Sequence, residues 1–191
     1  MTTEADVLAI LKDPHRSDLR WSLQGFGMLR TYLAADEVER LHIWDIGMSV
    51  EDVSTVHDHP WDLDSLIISG RLQNQRFVRS TQTQDDLWNF ASIRTGEGGH
   101  ILNVEPQVRL AAGEVESYGP GERYHQDAPE IHESTPDRGT VTLVNRTFSQ
   151  KRDVANVYWI AGEWGSAEPR PATPDEVQHF VDLALSKWST S

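Results

Sequence analysis

Cysteine is absent from the 191-residue chain. This absence excludes disulfides, a thiolate nucleophile and any zinc or iron–sulfur site built on cysteine. A metal site would have to use histidine, carboxylate or amide ligands. Long apolar runs are also lacking, and no segment approaches the roughly 18 residues of a membrane span. The N-terminal segment MTTEADVLAILKDPHR carries acids early and no secretory apolar stretch. The sequence therefore predicts a cytoplasmic protein with no membrane partner.

Basic residues are few, with 17 Lys and Arg against 30 Asp and Glu and a net charge of −13. Nucleic acid and anionic membranes are bound by cations that neutralise phosphate, so neither is an expected partner. Seven Trp, four Tyr and five Phe supply large side chains for a core. At about 150 residues per domain, this length favours a single domain over residues 1–191.

Long helical periods are missing from the central part of the chain, where short alternating or apolar runs end at Gly, Pro, Asp or Asn. These runs predict eleven strands, at 28–33, 40–46, 54–59, 63–68, 72–79, 86–93, 100–104, 108–111, 114–118, 140–148 and 154–160. Such dense short strands are typical of a β-sandwich or jelly roll. Amphipathic patterns predict short helices at about 3–12 and 174–187. We therefore expect an all-β domain with a core at about 26–160 and a helix at each end.

The densest chemical signal is the segment VHDHPWDLD at 56–64. Residues two apart in a strand project to the same face, so His57 and His59 can direct their imidazoles to one point. Two inward histidines with a merely structural role would need buried partners for four ring nitrogens, which is unfavourable. The pair therefore indicates a metal site with two imidazole ligands.

Asp64 and Gly70 extend this pair to the pattern H-x-H-x4-D-x5-G. The pattern resembles the first motif of the cupin superfamily, and the continuation LIISGRL resembles the thiol dioxygenase branch of that superfamily. Glu51 stands where the motif has a glycine, and its acid is Asp instead of Glu. The resemblance covers about residues 47–147. It implies a cupin-type double-stranded β-helix, the jelly-roll barrel.

The resemblance also implies further metal ligands, for which the sequence offers alternatives. Asp64 is the candidate acidic ligand, and Asp62 competes with it if the chain bulges after Pro60. For the third histidine, P-x-x-H ending at His132 resembles the second cupin motif better than the Pro/Gly turn before His125. We favour His132 as the metal ligand. We expect His125 to line the pocket as a candidate catalytic residue, with a surface histidine as the alternative.

Other side chains are candidates for substrate contact and catalysis. An arginine inside a barrel needs an anion, because an unpaired buried guanidinium is strongly destabilising. Arg76 and Arg146 are the first candidates to bind a substrate carboxylate. Tyr124 is a candidate acid or hydrogen-bond donor beside His125, and Trp61 is a candidate pocket wall. His42 lies in an alternating strand, and we expect a structural role for it.

Three protein ligands on one face of a metal leave positions open for substrate and O2, an arrangement typical of non-haem Fe(II). We therefore expect a metal-dependent oxidoreductase, a dioxygenase acting on a small amino-acid-like or thiol substrate. Mn, Ni, Co and Zn are alternative metals. A non-oxidative cupin (an isomerase, lyase or decarboxylase) and a non-catalytic small-ligand-binding cupin are alternative functions. The composition is compatible with a homodimer.

Overall fold

Two antiparallel β-sheets and two terminal helices make up the computed structural model, which describes residues 2–33, 37–94, 101–148, 154–162 and 169–188, without the side chains of 94 and 101–105. The helices are α1 (Glu4–Lys12) and α2 (Pro174–Trp188). The strands are β1 (Ser22–Gln24), β2 (Phe26–Tyr32), β3 (Glu39–Ser49), β4 (Asp62–Ser69), β5 (Leu72–Ser80), β6 (Asp86–Arg94), β7 (Ile101–Tyr118), β8 (Arg123–Gln126), β9 (Ile131–Pro136), β10 (Val141–Thr147), β11 (Val154–Trp159) and β12 (Arg170–Pro171).

The larger sheet has the strand order β12-β1-β2-β3-β10-β4-β8, and the smaller sheet has the order β11-β6-β7-β5-β9. Neighbouring strands pair antiparallel in both. The predicted β class with a short helix at each end is confirmed. The arrangement is a two-sheet sandwich that is compatible with a jelly roll. None of the described helices is long and apolar enough to cross a membrane.

Both helices cover the outer face of the larger sheet. α1 begins with a capping box between Thr3 and Asp6, as the sequence predicts for its N-cap. Thr173 and Glu176 exchange equivalent hydrogen bonds at the start of α2. The apolar faces of the helices join those of the central strands in one core, which includes Val7, Leu11, Leu29, Leu41, Ile43, Leu143, Phe180 and Val181.

β3 is buried on both faces, and this placement positions the site. Leu41 and Ile43 pack with the helices. Because side chains alternate along a strand, Arg40, His42 and Trp44 project to the opposite face, into the interior between the sheets. A strand with one apolar and one polar buried face therefore separates the helix-packed core from the interior.

β7 is a single long strand where the sequence predicted three pieces at 100–104, 108–111 and 114–118, residue 100 lying outside the described residues. The expected breaks at Pro106 and Gly113 are bulges instead. The β6–β7 register shifts between Trp88 and Phe90, opposite Pro106, and the β5–β7 register shifts between Gln75 and Phe77, opposite Gly113. Bulges accept a proline or a glycine without ending the strand, so the prediction of three strands was wrong.

The predicted strand at 54–59 is also wrong, because this segment forms no regular ladder. His57 instead makes isolated bridges to His132 of β9 and Val157 of β11. These strands are the two edges of the smaller sheet, so the segment joins both edges. Side chains replace ladder bonds here: Ser54 Oγ donates to the Tyr158 carbonyl, and Pro60 has no N–H to donate.

β4 and β5 lie in different sheets, and the turn at Gly70 connects them. Gly70 has a φ of +81°, and a Cβ there would lie 2.5 Å from Thr140 Oγ1. Both the left-handed backbone and the close approach require glycine. This requirement explains why a glycine follows the histidine motif at that spacing.

Candidate metal centre

Three histidines meet inside the sandwich. The ligand nitrogens of His57, His59 and His132 all lie within 4.8 Å of one another. Their ring centroids are 4.7 Å apart for His57 and His59, 4.5 Å for His57 and His132, and 5.0 Å for His59 and His132. The nearly equal sides make a triangle of imidazoles that can face one ion.

Backbone pairing brings the third histidine to the first two. The His57 N–H donates to the His132 carbonyl at 3.0 Å, and the His132 N–H donates to the His57 carbonyl at 2.9 Å. Residues directly opposite in an antiparallel pair place their side chains on the same face. His59 follows two residues after His57 and returns to that face. The triad therefore results from one cross-strand pair and one i, i+2 repeat.

Backbone carbonyls orient two of the rings. His57 Nδ1 lies 2.7 Å from the Thr55 carbonyl oxygen, and His132 Nδ1 lies 3.4 Å from the Glu130 carbonyl oxygen. A carbonyl only accepts hydrogen bonds, so Nδ1 is the protonated nitrogen in both rings. The lone pair then resides on Nε2, as a metal ligand requires.

Burial keeps the three rings neutral. Removal from water lowers the pKa of His57, and it lowers the pKa of His59 and of His132 well below the ordinary histidine range. A proton on His57 would repel a proton on either of the other two rings, which lowers the pKa of His59 and of His132 further. Neutral imidazoles bind metals and imidazolium ions do not, so the cluster is ready to bind a cation at neutral pH.

Asp58, between the two motif histidines, fixes their segment to β11. Its buried carboxylate accepts hydrogen bonds from the Asn156 N–H at 2.8 Å and from Asn156 Nδ2 at 2.6 Å. The Tyr158 hydroxyl lies 3.4 Å from the same carboxylate. The alternation that directs His57 and His59 to the centre directs Asp58 away from it, so Asp58 positions the histidines.

The structure separates the predicted acidic ligand from the triad. Asp64 is exposed on β4, where its carboxylate lies 3.0 Å from His125 Nδ1. Asp62, the alternative, accepts a hydrogen bond from the Ala128 N–H at 2.9 Å. Neither belongs to the cluster of metal-ligating side chains found among the described residues, which consists of histidines alone.

Of the two candidates for the third histidine, the structure brings His132 to the centre. His125 lies on edge strand β8 with 53% of its side chain exposed, between Asp64 and Asp127. Hydrogen bonds that the His125 ring donates to these two carboxylates raise the pKa of His125. The expectation that His125 lines the pocket is wrong, because its side chain projects from the exposed side of β8, and the alternative of a surface histidine is the one observed.

The other predicted residues divide between interior and surface. Trp61 is buried and stacks on His59, with ring centroids 4.0 Å apart. The Arg146 guanidinium lies 5.3 Å from the Trp61 ring. Tyr124 is buried in the cluster that contains Trp61, and burial raises the pKa of its hydroxyl. Arg76 is partly exposed and forms ion pairs with Glu116 and Glu130. It also stands directly opposite His132 in the β5–β9 pair, and its charge contributes to the lowered pKa of His132.

Two interior residues were not predicted as site residues. Arg40 and His42 are each 5% exposed and lie on the inner face of β3. The Arg40 guanidinium lies 4.6 Å from the ring of Trp61, the residue that stacks on His59. The alternation in the segment RLHIWD predicts that Arg40 and His42 share a face with Trp44. It does not show which face of the strand the helices cover.

Fold and site together define a two-sheet antiparallel β-protein with a buried cluster of three histidines that could bind a metal ion. No protein-family model matches the chain, and no curated protein matches it. The functional argument therefore rests on the site's own chemistry.

Proposed function

We propose that this protein is a metal-dependent enzyme of the cupin type, a non-haem Fe(II) oxygenase acting on a small polar substrate in the interior. The observation that carries the proposal is the convergence of three neutral imidazoles, His57, His59 and His132, at one buried point. Three ligands on one side leave coordination positions for a substrate and O2, which is typical of Fe(II) oxygenases.

The chain's own residues prepare this centre. The carbonyls of Thr55 and Glu130 hold the protons on the Nδ1 atoms of His57 and His132, so that each Nε2 is free to bind the ion. Trp61 covers one side of His59, and Phe26 stacks against His57 with ring centroids 6.0 Å apart. These rings restrict water around the ligands. Bound there, Fe(II) would supply the redox chemistry with O2.

A second candidate follows from the neutrality of the ligands. The cluster found among the described residues contains no carboxylate, so a divalent ion held by it would keep its full charge. Such an ion polarises a carbonyl or lowers the pKa of bound water, as zinc on three histidines does. A non-oxidative isomerase, lyase or decarboxylase would use that property, with Zn, Mn, Ni or Co as the ion.

Metal content and O2 dependence test the proposal. After anaerobic reconstitution with Fe(II), we expect about one iron per wild-type chain by inductively coupled plasma mass spectrometry and almost none in His57→Ala. O2 uptake is then measured with a panel of small amino-acid-like compounds and thiols, with His57→Ala as the blank. We expect uptake with the wild-type protein alone.

The alternatives give different results. Turnover of a panel compound that is unchanged under strict anaerobiosis would assign the non-oxidative function. If the wild-type protein binds none of Fe(II), Mn(II), Ni(II) and Zn(II) after reconstitution, both metal-dependent functions fail, and the interior is that of a metal-free binding protein.

A further inference from the structure

Three arginines surround the half-buried Tyr32 ring in an otherwise acidic protein, and two of them, Arg40 and Arg146, are buried. The guanidinium carbons of Arg30, Arg40 and Arg146 lie 6.0, 6.0 and 5.0 Å from the centre of the Tyr32 ring. The whole chain carries a net charge of −13. Three like charges around one ring repel each other, and they require a compensating anion if they are held away from water.

The three arginines differ in their protein partners. Arg146 donates from Nε to the Glu37 carbonyl at 2.8 Å, and its Nη2 lies 3.7 Å from the Glu37 carboxylate. Arg30 donates from Nε to Ser22 Oγ at 3.1 Å. Arg40 is the most buried of them, and its Nε has no hydrogen-bond partner among the described residues. Within the described residues, Arg40 has Tyr32 as a side-chain hydrogen-bond partner but no carboxylate partner.

The electrostatic environment of Arg40 agrees with this geometry. Burial, together with the charges of Arg30 and Arg146, lowers the pKa of Arg40 to about 9. Tyr32 opposes this shift only in part. A buried guanidinium without a carboxylate partner is destabilising, and such a cost is typical of a site prepared for a ligand.

His42 adds a second unpartnered group on the same face of β3. His42 is 5% exposed, and its Nε2 has no hydrogen-bond partner within the described part of the chain. Burial and the charge of Arg40 lower the pKa of His42 well below its ordinary value. A neutral imidazole beside a guanidinium offers a further hydrogen-bonding group to a ligand held by Arg40.

The subsite adjoins the metal centre. The Trp61 ring contacts both groups, with the Arg40 guanidinium 4.6 Å and the His59 ring 4.0 Å from its centre. The guanidinium and a candidate metal ligand are therefore neighbours around one indole, and the charge of Arg40 lowers the pKa of His59. A small molecule anchored at Arg40 would place atoms a few bonds away at the triad, which fixes its orientation as well as its position.

We propose that Arg40, with His42 beside it, binds an oxyanion group of the substrate, a carboxylate or a phosphate, while the reactive end of the substrate lies at the histidine triad. The position of the reactive end rests on the proposed function, but anion binding at Arg40 requires no metal. The planar guanidinium fork suits two oxygens of one group. The negative surface repels anions in general, so the buried cation provides selectivity as well as affinity.

The test uses thermal unfolding of the full-length protein with malonate or inorganic phosphate, at an ionic strength held constant with NaCl. At a concentration about 100-fold above the dissociation constant, the expected rise in Tm is roughly 5–10 °C. Arg40→Met should abolish the rise. It should also raise Tm in NaCl alone, because an apolar side chain of similar length replaces an unpaired buried charge.

Matched variants separate a specific site from a charge effect. Arg123→Met removes one exposed positive charge and should keep the full anion response. Arg40→Lys keeps the charge without the fork and should respond with lower affinity. A larger response to malonate identifies a carboxylate, and a larger response to phosphate identifies a phosphate.

Three results would overturn the anion subsite: no rise above the NaCl control with either anion, a wild-type response in Arg40→Met, or a lower Tm of Arg40→Met in NaCl. The last would show that Arg40 is a structural residue. The metal proposal is tested separately in His57→Ala, which should lose the metal and keep the anion response, whereas Arg40→Met should keep the metal. Loss of the anion response in His57→Ala would contradict an independent subsite.

Discussion

His57 and His132 each direct Nδ1 to the carbonyl of the residue two positions earlier, Thr55 and Glu130. The same local geometry thus assigns the same tautomer to both rings, without a carboxylate partner. A ring held by a carbonyl stays neutral more readily than a ring held by a carboxylate, which would favour its protonation. The carbonyl contacts therefore contribute to the ligand character of the triad as well as its orientation.

At this scale we predict opposite effects for two histidines seven positions apart. His132→Ala removes one corner of the triangle and should reduce bound metal to well under a tenth of the wild-type content, measured after reconstitution and desalting. His125→Ala should keep about one metal per chain, because His125 is half-exposed and pairs with Asp64 and Asp127. The reverse pattern would place the third ligand on β8.

The spacing of His57 and His59 predicted their shared face, and P-x-x-H favoured His132. The misplacement of Asp64 has a physical reason. Asp64 lies in a real strand, but its burial depends on which face the second sheet or the helices cover. Local alternation determines that two faces differ, and only tertiary packing determines which one is inside. Arg40 and His42 were missed for the same reason.

At the scale of elements, the segment 54–59 has an irregular backbone, but contacts on both sides hold it in a fixed position. Bridges at His57 hold it to β9 and β11, and the Asp58 N–H donates to the Asn156 carbonyl at 3.0 Å. The alternating pattern of this segment predicted a strand. Its side chains do alternate, since His57 and His59 point to the centre and Asp58 points away from it. Regular pairing with β11 is interrupted because two side chains take part in it: the Asp58 carboxylate accepts from the Asn156 N–H, and the Ser54 hydroxyl donates to the Tyr158 carbonyl.

We predict that Asp58→Ala uncouples this segment from β11. It leaves the Asn156 N–H and Nδ2 groups without their acceptor, which should lower the free energy of unfolding by about 2–3 kcal/mol. Metal affinity should fall at least about tenfold although no ligand changes, because the positions of His57 and His59 loosen. Urea unfolding and metal titration measure the two effects.

The matched control for Asp58→Ala is Asp127→Ala, which removes an exposed carboxylate that contacts the surface residue His125. It should change the free energy of unfolding by less than about 0.5 kcal/mol. If Asp58→Ala destabilises the protein but leaves metal affinity unchanged, Asp58 stabilises the fold without positioning the histidines.

At the scale of the whole molecule, the larger sheet separates two unlike environments. Its outer face joins α1 and α2 in an apolar core, and its inner face carries arginine and histidine side chains towards the smaller sheet. The outer core is the largest hydrophobic cluster among the described residues, so the fold tolerates an interior that is unfavourable without a ligand.

One buried carboxylate connects α2 to the larger sheet. Asp45 of β3 is 1% exposed and accepts hydrogen bonds from Arg138 Nε at 2.6 Å and from the Gly47 N–H at 3.0 Å, and it lies 2.8 Å from His179 Nε2 of α2. Burial alone would raise the pKa of Asp45, but the hydrogen bonds from Arg138, His179 and Gly47 outweigh it and lower the pKa below its ordinary value.

A lowered pKa in the folded state means that the ionised form of Asp45 stabilises the protein above the pKa of the unfolded chain. This contribution is lost as the pH falls through the folded-state pKa. We therefore predict that Asp45→Asn costs about 2 kcal/mol at pH 7, since Arg138 and His179 reach solvent and are screened in part. The difference from wild type should shrink as the pH falls below the ordinary aspartate range.

Urea unfolding from pH 7 down to about pH 2 measures this convergence, because the contribution is lost only below the ordinary aspartate pKa. Asp182→Asn, on the exposed side of the same helix, is the control, and its stability should follow the wild-type curve throughout. If the Asp45→Asn curve stays parallel to wild type at every pH, Asp45 does not titrate with unfolding, and the acid sensitivity of the helix–sheet contact lies elsewhere. If the stability of Asp45→Asn alone converges with that of the wild type at low pH, an acid-labile contact lies at the junction of α2 and β3. This junction is on the side of the sheet away from the histidine triad.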